Sequence, residues 1–546
     1  MKKYYSIQNI IVVFFFGIIF LNHQFAFFGY YGYDDMEYAF LSQQISKGEL
    51  NLLEDHFAYR WGLIAPVGLI YKWSCINDFT TAIWSMVISC LLIIVISDTI
   101  KKYGNSVLFL GLILFTLNTE ILLWTDKLMP DIHFTLYVIC AFLSINAYRK
   151  SPNQPVLFSF LFSIFIFLAF LTKELIWLLT PIYAVLFIID IITKKKLIFW
   201  WMTILFSLAI SIIYFYSIYL ETGHFLTRLH IILKNKYLNN CSYDQLPIIE
   251  TIKRITYLPI MSFINSGFIV SIIFFISTLF TLKLNPFQAK DQTEQSFWIK
   301  CYCFALLSIW FTSISFKSYV PMCPDSRHFI YIIPLSLFAI APSLSQNFKN
   351  VKFILINLAL FISVYLTTLI MHSNNSYYYL IIIIAFILVL IFRNKIKNTI
   401  AIYCTIVFLY FCYQFYLSYR YAIDTCYKQQ KELIENNFGN INHKSIVITN
   451  EVQERTGNFY LKFNNSKTEF VNFSEMTKFD YSKVDSIYLL TNYHTEFYSS
   501  INEKDKPNII RNTPKEFRLI YQYNSIKLYS IPSDFFLHAE FNSTKK

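Results

Sequence analysis

The sequence GYYGYDDMEY at residues 29–38 comes directly after the first apolar segment of the chain. Its two adjacent carboxylates, Asp34 and Asp35, lie where a hydrophobic helix would leave a bilayer. Aromatic residues crowd both sides of the pair, as they do at membrane surfaces. Acidic side chains at a membrane edge are costly, so the pair is a candidate functional site, with a solvated start of the loop as the alternative. A site built on this pair therefore requires further charged clusters on the same side of the membrane.

The composition is that of a polytopic helical membrane protein. Of the 546 residues, 55% are hydrophobic and 15% are charged, and the mean hydropathy is +0.45. Soluble proteins carry closer to about a quarter charged residues. The net charge of +12 falls mostly in short loops, where it sets orientation, so no nucleic-acid partner is expected. The ten cysteines show no zinc-like spacing, and pairing among the outward Cys241, Cys323 and Cys426 stays open.

About thirteen apolar segments are long enough to cross a bilayer. They lie at about residues 8–29, 80–99, 105–124, 133–148, 154–171, 173–193, 198–220, 259–283, 297–316, 328–345, 351–371, 377–393 and 398–419. The stretch 154–193 is too long for one crossing and is interrupted only at 172–174. It therefore predicts a tight helical hairpin.

The positive-inside rule supports this arrangement. With the N-terminus in the cytoplasm on an uncleaved first helix, all six inner loops carry Lys or Arg. The longer outer loops, at about 30–79 and 221–258, hold the acids and the mixed charges. An odd number of spans then places the C-terminus outside.

The composition turns polar from about residue 424. Residues 444–450 and 486–491 predict buried strands, and 517–531 predicts a hairpin that turns near residues 524–525. The sequence thus predicts two domains, a transmembrane domain at 1–423 and a small extracytoplasmic α/β domain at 424–546. The fold class is an all-α polytopic membrane protein that carries this soluble domain.

Two charged motifs are predicted to join the acidic pair at the outer face. Asp131 follows Pro130 at the start of the fourth span, where it could cap the helix or face the same pocket as Asp34. Lys173 and Glu174 interrupt the hairpin. They could form a mutually paired, snorkelling turn, or Lys173 could bind a lipid phosphate as a compact point charge.

A third motif, DSRHFIYIIP at residues 325–334, leads into the tenth span. Its Arg327 could be an interfacial anchor or a phosphate ligand, since the guanidinium group suits phosphate recognition.

In their order and sidedness, these motifs resemble the GT-C glycosyltransferases. The acidic pair, the Pro-Asp pair, the Thr-Lys-Glu turn and the Asp-x-Arg-His motif carry the resemblance, which covers about residues 8–420 in layout. The polyprenyl-phosphate-sugar-dependent branch is the most similar. It contains the protein O-mannosyltransferases and the bacterial aminoarabinose transferases that modify lipid A, and the spans with an outer C-terminal domain fit the latter well.

The resemblance implies an inverting hexosyl or pentosyl transfer at the outer face of a bacterial inner membrane. The donor would be a polyprenyl-phosphate-linked sugar, and the acceptor a cell-envelope lipid, glycan or protein. Asp34 or Asp35 would act as the base or orient the acceptor nucleophile, with Asp34 as the first choice. Asp131 would support the sugar or the acceptor.

The same resemblance implies that Lys173 and Arg327 hold the phosphate and stabilise its growing negative charge. Two positions depart from the family pattern. Glu174 stands where many members have Gly, and it could neutralise Lys173. His328 stands where a Tyr often follows the Arg.

No cofactor is predicted with certainty. His56 beside acidic residues 54–55, and His224 near His230, could build a divalent-metal site across two outer loops. Scattered loop histidines are the simpler interpretation. The Trp-Trp-Asp motif of metal-dependent oligosaccharyltransferases is absent, because residues 200–202 read Trp-Trp-Met.

Other functions remain open. A lipid or glycan transporter or flippase would show repeated halves and charges at the membrane midplane, and neither is evident. A glycan ligase of a different membrane fold would show long outer loops rich in Arg and His, as in the loop at 221–258. A family member that has kept only a binding role is a third alternative.

Overall fold

The structure, a computed structural model, describes residues 2–193, 197–234, 243, 246–282, 293–313, 319–373, 375–396, 398–464, 467–476, 481–493, 495, 513–532 and 535. Some sequence-based predictions fall outside these residues. They include Cys241, the inner-loop residues 194–196, 283–292 and 397, residues 314–316 of the ninth predicted span, and residues 235–242, 244–245 and 317–318 of the predicted outer loops.

Helices form most of the described chain, and each predicted apolar segment coincides with one helix or with two consecutive helices. The α-helices are α1 (Lys2–Leu21), α2 (Asp34–Lys47), α3 (Trp61–Trp73), α4 (Asp78–Ile100), α5 (Asn105–Thr116), α6 (Thr119–Trp124), α7 (Pro130–Lys150), α8 (Pro155–Thr172), α9 (Thr180–Ile192), α10 (Ile198–Thr222), α11 (Thr227–Lys234), α12 (Ile248–Thr256), α13 (Leu258–Asn265), α14 (Ile269–Leu282), α15 (Glu294–Phe311), α16 (Ile332–Asn347), α17 (Val351–Ile370), α18 (Ser376–Phe392), α19 (Thr399–Asp424), α20 (Tyr427–Phe438) and α21 (Glu451–Tyr460).

The chain is a multi-pass integral membrane protein. By length and composition, eight of the described helices could cross a membrane, or nine if α13 and α14 form one span. These two helices are bent by 110° at Gly267, whose φ of +76° is in the left-handed region. The segment at 259–283 therefore consists of two helices with a sharp bend between them, and both its crossing and the count of thirteen crossings stay predictions.

The predicted interruption of the helical hairpin at 154–193 is confirmed. Helix α8 ends at Thr172, Lys173 is extended with φ −157° and ψ 136°, and a 3₁₀ turn at Glu174–Leu179 leads into α9. The rings of Phe162 and Tyr183 lie 5.2 Å apart and show that the two segments fold back on each other.

The described chain forms two compact units. The first comprises Met1–Phe20, Asn51–Leu63 and Trp84–Gln414, and the second comprises Leu21–Leu50, Ile64–Ile83 and Phe415–Lys546. Compactness does not show that a segment folds alone, so the predicted domains at 1–423 and 424–546 stay predictions.

Aromatic packing holds the core of the first unit. The ring of Phe274, on α14, is fully buried and lies within about 6 Å of rings on α17, α18 and α19. These rings belong to Phe361, Phe386 and Tyr403.

Ion pairs connect the ends of three apolar segments that were predicted to lie on the inner side of the membrane. Glu294, at the start of α15, forms ion pairs with Lys102 at 2.6 Å and with Lys150 at 2.7 Å. Nearby, Arg149 is paired with Asp190 at 2.7 Å. The three loop ends therefore meet as the alternation of spans requires, while which side is cytoplasmic stays a prediction.

The second unit contains a five-stranded mixed sheet in the order β2-β1-β3-β5-β4. The strands are β1 (Ser445–Thr449), β2 (Thr468–Asn472), β3 (Ser486–Thr491), β4 (Arg518–Tyr523) and β5 (Ile526–Ile531). Strand β1 is parallel to both β2 and β3, and β5 pairs antiparallel with β3 and β4. The predicted strands and the hairpin turning at residues 524–525 are confirmed, and β2 was not predicted. The sheet makes this part of the chain the expected small α/β region.

Candidate active site

Three side chains from distant parts of the sequence meet in the first unit. The ammonium group of Lys173 donates a hydrogen bond to Asp131 Oδ1, and the His328 Nδ1 atom lies 2.8 Å from Lys173 Nζ and 3.1 Å from that oxygen. All three groups were predicted to share the outer face. The structure therefore brings together residues that are separated by up to 197 positions in the chain.

Local structure positions each of these side chains. Pro130 begins α7 and places Asp131 in its first turn, where the positive end of the helix dipole favours a carboxylate. Lys173 is the extended residue between α8 and the following 3₁₀ turn. His328 lies on a 3₁₀ turn at Ser326–Phe329, which Asp325 caps by accepting a hydrogen bond from the backbone of Arg327. Each side chain thus projects from a helix end or a helix break.

The cluster is largely withdrawn from solvent. Asp131 is 2% exposed and Lys173 is 8% exposed. Within the described part of the chain, Asp131 Oδ2 is buried and accepts no hydrogen bond, whereas Oδ1 faces Lys173. One carboxylate oxygen is therefore committed to the lysine, and the lone pairs of the other have no partner among the described residues.

Lys173 and His328 both lie outside the candidate spans, and burial lowers the pKa of each. The carboxylate of Asp131 opposes this shift for both groups, and the positive charge of Lys173 lowers the pKa of His328 further. An ammonium group only donates hydrogen bonds, so Nδ1 accepts from Lys173 whenever that lysine is charged.

Arg327 adds a second positive charge beside this cluster. Its Nε atom lies 2.9 Å from Asp325 Oδ2, and its guanidinium lies 5.6 Å from the ring centroid of Trp124. Its charge also lowers the pKa of Lys173. The two residues predicted to hold a phosphate are therefore close enough to influence each other electrostatically.

The sequence left open whether Glu174 neutralises Lys173, and the structure shows that it does not. Its carboxylate instead pairs with Arg60 at 3.0 Å and with Arg228 at 2.8 Å. Arg228 also donates to the Phe170 carbonyl at 3.0 Å, and its guanidinium lies 4.1 Å from the Phe170 ring centroid. The consecutive residues 173 and 174 thus serve two different charge clusters.

The two arginines were not predicted from the sequence to belong to the site. Arg60 and Arg228 have side chains that are only 9% and 3% exposed, although both come from loops predicted to lie outside the membrane. A guanidinium in an apolar loop segment is the signal that could have found them, because a buried arginine requires an anionic partner.

Asp35, in the second unit, is held by four backbone amides. Its carboxylate accepts hydrogen bonds from the backbone amides of Tyr31, Gly32, Tyr33 and Met36, and the residue is fully buried. A carboxylate with these contacts is a strong structural anchor.

Two glycines allow the chain to wrap around this carboxylate. Gly29 and Gly32 have φ values of +102° and +83°, in the region that residues with a Cβ rarely adopt. A Cβ at Gly29 would lie 2.3 Å from the ring of Tyr427, and one at Gly32 would lie 2.4 Å from Val452. The glycines in the GYYG sequence are therefore required by both conformation and space.

Asp34 is the first residue of α2 and is half-buried. It belongs to the second unit with Asp35, whereas Asp131, Lys173, Glu174, Arg327 and His328 belong to the first. Of the two adjacent acids, Asp34 is the one whose side chain remains partly accessible.

The metal candidates are histidines of two predicted outer loops. His56 Nδ1 lies 2.7 Å from Asp55 Oδ1, and the rings of His224 and His230 lie 4.8 Å apart. The residues that the structure describes contain no group of three or more His, Cys, Asp or Glu side chains arranged to hold a metal ion.

Two of the three cysteines that were predicted to face outward can be assigned. Cys323 is disulfide-bonded, whereas the buried Cys426 has a free thiol.

Comparison with known proteins identifies the fold. No protein-family model and no curated protein matches the sequence. Two crystal structures of ArnT from Cupriavidus metallidurans are similar over nearly the whole chain. The structure bound to undecaprenyl phosphate has a TM-score of 0.58 and 11% identity, and covers 95% of this chain and 97% of its own. The apo structure has a TM-score of 0.57 and 11% identity, and covers 96% and 98%. The GT-C fold implied by the sequence motifs is confirmed.

Proposed function

We propose that this protein is a membrane glycosyltransferase. It moves a sugar from a polyprenyl-phosphate donor to a cell-envelope lipid, glycan or protein at the outer face of a bacterial inner membrane. The observation that carries the proposal is the buried Asp131–Lys173–His328 cluster, with Arg327 beside it, in a chain of the GT-C fold. The ArnT structure with undecaprenyl phosphate supports a donor of this chemical class.

Lys173 and Arg327 bind the phosphate of the donor. An ammonium group has three N–H donors, and Asp131 and His328 occupy two of them, so one remains for a phosphate oxygen. As the bond between the anomeric carbon and the phosphate oxygen breaks, negative charge grows on the phosphate. Fixed cations in a site of low water content stabilise that charge.

The two carboxylate oxygens of Asp131 have different roles. Oδ1 holds the Lys173 ammonium in place, and Oδ2 accepts a hydrogen bond from a hydroxyl group of the transferred sugar. Without this carboxylate, Lys173 would be a buried cation with no anionic partner and would shift towards its neutral form.

Asp34 acts as the general base. The acceptor hydroxyl attacks the anomeric carbon from the side opposite the phosphate, which forms the new C–O bond with inversion. Its proton passes to the Asp34 carboxylate, and the polyprenyl phosphate leaves with the electrons of the broken bond. Asp35 positions Asp34, because its hydrogen bonds fix the backbone at the start of α2.

The test is a transfer assay with the full-length protein in membrane vesicles, a radiolabelled polyprenyl-phosphate sugar and envelope lipid extract. Asp34→Asn is expected to lower the rate of transfer by roughly a hundredfold to ten-thousandfold, the range for loss of a general base. Asp98→Asn changes an acid whose side chain is 72% exposed, and it serves as the matched control. Wild-type rates for Asp34→Asn at normal expression would overturn the assignment.

A further inference from the structure

A cleft in the second unit lies along the same helix as Asp34. It has a volume of about 270 Å³ and is lined by Met36, Glu37, Phe40, Arg455, Asn458 and Phe463. The first three residues belong to α2, and the others belong to α21 or directly follow it. Small-molecule sites begin at roughly 300 Å³, so the cleft suits a single ring better than a lipid chain or a protein segment.

The lining combines apolar rings with groups that hydrogen-bond. The rings of Phe40 and Phe463 lie 5.4 Å apart at an interplanar angle of 60°. Glu37 offers a carboxylate, Arg455 a guanidinium, and Asn458 an amide that both donates and accepts. Vicinal hydroxyl groups pair well with this set, and the C–H face of a pyranose packs on the electron-rich face of an aromatic ring.

The wall of the cleft adopts an unusual backbone. Lys462 and Phe463 have φ values of +58° and +52°, in the left-handed region that bulky residues rarely enter. The side chain of Gln43 donates to the Lys462 carbonyl at 3.4 Å, and the Phe459 ring lies 5.9 Å from that of Phe463. These contacts hold Phe463 against α2, and strained residues of this kind concentrate at ligand sites.

Arg455 connects the cleft with the start of α2. Its guanidinium lies 5.8 Å from the ring centroid of Tyr33, and Nη2 lies 3.3 Å from Glu451. Asp34 and Glu37 are three positions apart on α2 and therefore share one helix face, one turn from each other. A ring bound beside Glu37 thus lies within one helical turn of Asp34.

We propose that this cleft binds a sugar ring of the acceptor, so that the acceptor is a glycan or glycolipid that presents its hydroxyl group to Asp34. The proposal rests on the proposed glycosyl transfer, and it names the acceptor class. A phosphate or other anion is disfavoured because Glu37 lines the same cleft, and a lipid tail is disfavoured by three polar side chains among six.

Direct binding tests the cleft without any transfer. Saturation-transfer NMR uses the full-length protein in nanodiscs with methyl β-glucopyranoside or N-acetylglucosamine as the probe. Arg455→Met and Phe463→Ala are expected to weaken binding at least about fivefold, as truncation of an important contact does. The controls Arg518→Met and Tyr523→Ala change side chains on β4, away from the cleft lining. Arg327→Met changes a proposed donor ligand whose partner Asp325 is partly exposed, and it is expected to retain the signal, which separates this cleft from a donor site.

Kinetics complete the test. Arg455→Met is expected to raise the KM for the glycan acceptor while the KM for the donor stays unchanged. No saturation transfer to the wild type, or an equal signal in Arg455→Met, overturns the cleft proposal even if the enzyme transfers sugar. A wild-type protein that transfers no sugar overturns the proposed function, and the binding result then decides whether the cleft is a sugar site in its own right.

Discussion

The ammonium group of Lys173 lies against Oδ1 of Asp131, and both side chains are almost fully buried. Neither charge has bulk water to stabilise it, so each depends on the other. Removal of one partner of such a pair is far more costly than removal of both, because a lone charge stays behind. The pair is therefore a structural requirement as well as a proposed element of phosphate binding.

Asp131→Asn is expected to destabilise the protein by about 3–5 kcal/mol, the cost of an uncompensated buried charge. The double variant Asp131→Asn/Lys173→Met is expected to recover much of this loss while remaining inactive in transfer. Thermal unfolding in detergent, followed by size-exclusion chromatography, measures the stability of the single and double variants, and the transfer assay measures their activity. Lys253→Met removes an exposed pair with Glu250 and should change little. Equal destabilisation in the single and double variants would contradict the pairing.

Glu174→Gly is expected to lower stability without weakening the binding of undecaprenyl phosphate through Lys173. The substitution leaves Arg60 and Arg228 without their carboxylate partner, whereas Lys173 keeps Asp131. The melting temperature and the affinity for undecaprenyl phosphate, measured by native mass spectrometry, separate the two effects. Lys173→Met should lose affinity clearly and also lose stability, because it removes the phosphate ligand and leaves Asp131 buried without its partner. Lys349→Met is the control for an exposed lysine. Weaker lipid binding in Glu174→Gly than in Lys173→Met would argue against this assignment.

Gly32→Ala is expected to destabilise the protein more than Gly48→Ala. Both glycines have positive φ values, +83° and +76°, so each alanine has a conformational cost of about 1–2 kcal/mol. Only at Gly32 would the new Cβ also meet Val452, since the space around Gly48 is open within 4 Å. The difference between the two melting temperatures reports the close approach, and equal shifts would show that the contact relaxes without cost.

Asp34→Asn and Asp35→Asn are expected to fail in different ways. Asp34→Asn should melt close to the wild type and lose transfer, because its role is the proton. Asp35→Asn should lose both stability and transfer, since an amide replaces one acceptor oxygen with a donor that faces backbone N–H groups. Melting temperatures together with transfer rates distinguish them. A stable and inactive Asp35→Asn would reverse the two assignments.

The strands of the second unit show which elements the local sequence pattern can predict and which it cannot. β1 and β3 are continuous apolar runs, and the hairpin of β4 and β5 turns at Asn524, whose φ is +49°. The edge strand β2 was missed because it is five residues long and carries an exposed Glu469. Short edge strands are defined by their partner, here the parallel pairing with β1, and that pairing is not visible in the local sequence.

The sequence determined the class of this protein, the positions of its apolar segments, the break at Lys173 and the motifs that indicate the GT-C fold. These features are local, because transfer into a bilayer depends on the composition of each segment. The tertiary structure decided the partners. In the folded protein, Lys173 contacts Asp131 and His328, and Glu174 pairs with Arg60 and Arg228. Asp35 is fully buried, whereas Asp34 is half-buried. Coulomb and hydrogen-bond energies depend on distances of a few ångströms between residues far apart in the chain, and only the folded protein sets those distances.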